Sequence, residues 1–174
     1  MVENAAGRMV EKPRYGGQLV VIATDPPQGF DGAYSTADNM YTAHVTNDSL
    51  YTGDWFKSSQ GTGEAEFQIR GTTFLDFMRP SVATSWARPS PDTLIFNIRQ
   101  GIHWHDRPPV NGRELTADDV VFSIERAMAI ESHYLNPSAT KYMLSVEATD
   151  EWTVQVDCEE GFAAVVLEVL LDNP

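Results

Sequence analysis

Residues 80–128 read PSVATSWARPSPDTLIFNIRQGIHWHDRPPVNGRELTADDVVFSIERAM. Leu94, Phe96 and Ile98 alternate with Ile95, Asn97 and Arg99, the two-residue period of a strand with one face buried. Ahead of them, Val82, Thr84 and Trp86 alternate on a second strand, and Arg88-Pro89-Ser90-Pro91-Asp92 carries the residues of a turn. The two runs predict a hairpin. After Gln100-Gly101, Ile102 and Trp104 continue the apolar face while His103 and His105 point the other way. Asp106 to Arg113 is a loop containing proline and glycine. Thr116 is a helix N-cap, with Asp119 at the capping-box position. Asp118 and Asp119 suit the positive start of the helix and Arg126 its last turn. Val120, Ile124, Ala127 and Met128 recur at helical spacing and form one apolar stripe.

The flanks extend this alternation of strands and helices. Residues 1–15 are a polar tail. Gly16-Gly17 opens a short apolar run, Leu19 to Ala23, which reads as a buried strand ended by Asp25-Pro26-Pro27. A loop runs to Thr36, a helix is expected over Ala37 to Tyr51 on the anchors Met40, Val45 and Leu50, and Gly53 to Gly71 reads as a surface loop. Downstream, Leu144, Val146 and Ala148 alternate, Thr149-Asp150-Glu151 turns, and Trp152, Val154 and Val156 alternate again, a second hairpin. Gly161 leads into a helix over Phe162 to Leu171, stopped by Asn173-Pro174. It is apolar nearly all round and should be covered on more than one side. No internal repeat is visible.

Three blocks in this order resemble the family 5 extracellular solute-binding proteins, the peptide- and nickel-binding group. The family pattern P-x-L-A-x-S-W matches Pro80 to Trp86. F-x-L-R-x-G-V-x-F-H-D-G matches Phe96 to Asp106, and T-A-x-D-V-V-F-S-x-x-R matches Thr116 to Arg126. The G-G-Q-L-V-V strand near Gly16 and the D-E-W-T-V-Q-V hairpin near Asp150 also fit, so the resemblance covers residues 16–174. Two departures fall in loops. Arg107 stands where the family has glycine, with an enlarged Pro-Pro-Val-Asn-Gly loop after it, and the stretch from Leu50 to Pro80 is long.

The resemblance implies an α/β fold of the type II periplasmic-binding-protein kind. Residues 16–36 would be the first strand and loop of lobe I, and 37–174 its small subdomain, with a mixed sheet, hairpins and flanking helices. The second lobe would be missing. It further implies a monomeric component of an ABC importer, periplasmic or extracellular, that captures a peptide or similar solute for a membrane permease without cofactor or catalysis. Ligand contact is expected at Ser35, Thr36, Ala37 and Asp38, where loop backbone groups can bind a peptide main chain, and at Tyr134. A helix-capping loop and an interface residue are the alternative readings of these two places. Ligand identity, whether peptide, nickel complex or sugar, stays open.

Composition agrees with a folded domain: 174 residues, 42% hydrophobic and 10% aromatic. The net charge of −13 repels nucleic acid and anionic membranes. It is concentrated from Glu114 onward, where 13 acidic residues face 2 basic ones. The lone Cys158 excludes an internal disulfide. The start, MVENAAGRMVEKPRYGG, lacks the apolar stretch of a signal peptide, and no run is long enough to span a membrane. Asp118-Asp119 and Glu159-Glu160 are adjacent carboxylates, which point about 100° apart on a helix and cannot flank one bond. Ser85 and Ser123 have no base nearby, and neither G-x-S-x-G nor a phosphate-binding glycine loop occurs. Trp86, Phe96, Trp104 and Phe122 read as core aromatics rather than a stacking platform. His103-x-His105-Asp106 offers at most part of a metal site, which usually needs three or four protein ligands. A stand-alone metal-binding or interaction module on that face is the rival reading, and a non-functional truncated product a third.

Overall fold

The alternating apolar runs of the sequence build a four-stranded antiparallel sheet. The computed structural model describes residues 1–3, 7–12, 16–18, 20, 47–54, 78–130 and 141–171. Two short pairs stand apart: β1 (Val2–Glu3) with β2 (Met9–Val10), and β3 (Tyr51–Gly53) with β4 (Met78–Pro80). The main sheet holds β5 (Ala83–Ser90), β6 (Thr93–Ile98), β7 (Met143–Asp150) and β8 (Thr153–Cys158) in the order β5-β6-β8-β7. Helix α1 (Ala117–Ala129) connects the first hairpin towards the second, and α2 (Ala163–Leu171) follows it. Every strand pair among the described residues is antiparallel.

Phe96 lies opposite Val154, and Leu94 opposite Val156, so the buried side chains of the two central strands share one face. That face is dry: Leu94, Phe96, Val154 and Val156 are fully buried, Ile98 and Cys158 nearly so. They join the buried residues of α1 and α2 in one core. Each large apolar side chain fully buried there contributes about 1.5–3 kcal/mol. The opposite face carries polar rows, among them Ser85-Asn97-Thr153 and Ser90-Thr93-Asp157-Ser145. Asp157 accepts hydrogen bonds there from the Ser145 hydroxyl at 3.2 Å and the Gln155 amide at 3.1 Å.

The structure departs from the sequence reading at both hairpins. The expected turn over Arg88–Asp92 contracts to Pro91-Asp92, because β5 runs on to Ser90. Pro89 is tolerated inside it because β5 is an edge strand and needs no outward donor. The second turn is Glu151-Trp152, with Asp150 Oδ1 accepting from the Trp152 N–H at 2.8 Å. Register shifts between Ala83 and Ser85 and between Met143 and Ser145 move the buried phase by one residue. Val82 and Ala83 are therefore buried while Thr84 is exposed. In β7, Met143 is buried and Leu144 is 69% exposed.

The described end of the range 37–51, expected to be helical, is not a helix. Residues 37–46 lie outside the described residues, 47–50 are not helical, and Tyr51 opens β3. The carbonyls of Ser49 and Leu50 accept from the N–H groups of Val82 and Ala83 at 3.1 and 3.0 Å, which ties this segment to the start of β5. Of the strand expected over Leu19 to Ala23 only Val20 is among the described residues, and there the expectation fails: Val20 belongs to no strand and is 76% exposed rather than buried. α2 buries Ala163, Val166, Leu167, Leu170 and Leu171 along one broad side, while Val165 is 43% exposed. Among the described residues its cover is one-sided, less than its all-round apolarity called for.

Candidate functional site

The stretch between the first hairpin and α1 is organised by Asp119. As the third residue of the helix it closes a capping box with Thr116, its Oδ2 accepting from the Thr116 N–H at 3.0 Å. The same carboxylate is gripped by both terminal nitrogens of Arg113, at 2.7 and 2.5 Å, and accepts from the Trp104 indole N–H at 3.3 Å. The hydrogen bonds from Arg113 hold the Asp119 carboxyl below its ordinary value, against the opposing effect of burial. The Arg113 guanidinium also stands 6.0 Å from the centre of the Trp104 ring, at the edge of cation–π range. One acidic side chain thus fixes the helix start, the loop before it and an aromatic ring.

That loop is a narrow ribbon. His103 and Glu114 pair across it, with the Trp104 N–H donating to the Arg113 carbonyl at 3.0 Å and the Leu115 N–H to that of Ile102 at 2.8 Å. The ribbon is entered at Gly101, whose φ of +80° is left-handed backbone that favours glycine. Its N–H donates to the Glu114 carboxylate at 2.5 Å. The tip, Asp106 to Gly112, is exposed for most of its length and held by its own turn bonds, such as Asn111 N–H to the Arg107 carbonyl at 2.8 Å.

The ribbon, α1 and the segment Asn47–Leu50 enclose a half-open groove of about 370 Å³, within the size range of small-ligand sites. Its floor is apolar: Leu50, Val82, Ile102, Leu115, Ile124 and Leu170. Asp48, His103, His105, Asp119 and Ser123 bring polar groups to its walls. Chemically the groove can shield an apolar group and offer hydrogen bonds around it.

Of the residues singled out in the sequence, Ser35, Thr36, Ala37, Asp38 and Tyr134 lie outside the described residues. His103 and His105 both line the groove, the former with Nδ1 3.1 Å from the Gly101 carbonyl oxygen. Among the described residues no three of His, Cys, Asp and Glu gather as a metal ion would require. The aromatic set divides. Phe96 is core and Trp86 half-buried, but Trp104 is 36% and Phe122 64% exposed. Phe122 falls on the solvent side of α1, between Asp118 and Glu125 along the helix, so its position in the block did not imply burial. The groove wall at Asn47–Leu50 was missed because those residues were read as a helix end. Arg113, six residues ahead of Asp119 at the foot of the loop, was the available signal for the clasp.

Residues 78–173 match the model of the bacterial extracellular solute-binding proteins, family 5, middle region. The chain belongs to this family. The matched segment runs from β4 through α2 and so contains the main sheet, the ribbon, the Asp119 clasp and both helices. A dipeptide-binding protein of Escherichia coli is 30% identical over 167 residues, covering 88% of this chain and 28% of the relative. Di/tripeptide-binding protein 2 of Pseudomonas aeruginosa is 31% identical over 137 residues, covering 76% of this chain and 23% of the relative. Among solved structures, the ABC transporter substrate-binding protein CtaP of Listeria monocytogenes superposes with a TM-score of 0.61 at 20% identity, covering 87% of this chain and 26% of that one. It shares the fold. The chain therefore spans less than a third of the length of each of these relatives, and carries a part of the family 5 fold. No helix among the described residues is long and apolar enough to cross a membrane.

Proposed function

We propose that this chain is part of the capture component of an ABC importer, which binds a peptide or similar small solute outside the cytoplasm and delivers it to a membrane permease. The observation that carries this reading is the family 5 match over residues 78–173, together with relatives at 30% and 31% identity named for di- and tripeptide binding. In this reading residues 16–36 supply the first strand and loop of lobe I and 37–174 its small subdomain. The ligand lies between two lobes, where Ser35, Thr36, Ala37, Asp38 and Tyr134 contribute from this side. Loop backbone groups there bind a peptide main chain without reading its side chains. Lobe closure on the ligand is the signal to the permease, and no bond is made or broken. The protein works as a monomer in the periplasm or at the outer cell surface.

The test is isothermal titration calorimetry on the intact gene product containing this chain, with dipeptides, tripeptides, a nickel–histidine complex, oligosaccharides and free amino acids as probes. Saturable binding of di- or tripeptides is expected, with free amino acids inert, and deleting the gene should abolish uptake of the labelled peptide. Binding of the nickel complex or a sugar in place of peptides would overturn the ligand class and keep the capture role. Failure to bind every probe, with peptide uptake unchanged in the deletion strain, would overturn the import reading itself.

A further inference from the structure

We draw no further inference here: the strongest candidate, the half-open groove between residues 47–50, the Ile102–His105 stretch and helix α1, has an apolar floor and nothing in the structure shows what covers it.

Discussion

Two side chains concentrate chemical meaning in this molecule, and each makes a measurable claim. Asp119 serves as capping-box partner of Thr116, ion-pair partner of Arg113 and acceptor for Trp104. Its carboxyl titrates below the ordinary value of 3.8 in the folded chain. A depressed folded value means that its contribution to stability is fully present above pH 3.8 and is lost as pH falls through the lower folded value. Asp119→Asn should therefore destabilise the chain by about 1–2 kcal/mol at neutral pH, the scale of a lost cap, as read by urea unfolding. The difference between variant and parent should shrink as the medium is acidified. A difference that holds constant down the acid limb would show that the charge on Asp119 contributes nothing. Cys158 behaves oppositely. Burial, with Asp157 and Asp92 nearby, pushes its thiol up to about 11 from 9.0. The native thiolate fraction at mildly alkaline pH is thus about 100-fold below that of the unfolded chain, before any loss of access. A disulfide-exchange dye should react with the native protein at least that much more slowly than with protein in urea. Equal rates would mean that the end of β8 is not closed.

At the scale of elements, the two hairpins show what a sequence pattern can and cannot convey. The central strands were legible: Leu94, Phe96 and Ile98 in β6, and Val154 and Val156 in β8, are buried as their period of two required. Helix α1 was legible too, because its start is encoded locally by Thr116 and Asp119 and its buried stripe by Ile124 and Ala127. The edge strands depart from the expected alternation only near their starts, at Thr84 and Leu144, whereas Trp86, Val146 and Ala148 pack against the core as expected. A bulge inserts one residue and reverses which parity faces the core, and nothing in the composition around Ala83 or Met143 announces it. The candidate groove was legible on its α1 side only, since Asn47–Leu50 is shaped by backbone partners more than 30 residues away in β5 and its approach. The bulge in β7 can be tested by substitution. Met143→Ala removes a buried side chain and should cost about 2–4 kcal/mol, whereas Leu144→Ala, at a 69% exposed site, should stay within about 0.5 kcal/mol. Urea midpoints measured side by side decide the matter. The reverse ranking would restore the simple alternation and remove the bulge.

For the molecule as a whole, the order β5-β6-β8-β7 places the two strands with the driest face in the middle and the bulged, proline-bearing and partly exposed strands at the edges. Sheet bonding flanks β6 and β8 on both sides, and their buried side chains meet both helices in one core. Opening either strand therefore disrupts two ladders and the core together, while the end of β5 past Ala87, whose residues are exposed or half-buried, can detach by breaking one ladder. A binding site on adjoining loops keeps its geometry only if the scaffold beneath it does not open. Native-state hydrogen exchange should show the slowest amides at Leu94, Phe96, Val154 and Val156, exchanging only through global unfolding. Hydrogen-bonded amides of β5 beyond Ala87, past the second register shift, should exchange at least about 10-fold faster. Uniform protection across all four strands would mean that the edges are held as firmly as the centre, and that the sheet opens as one piece. Edge amides as slow as the centre in the intact gene product, but faster in this chain alone, would show that further polypeptide braces the sheet from its side.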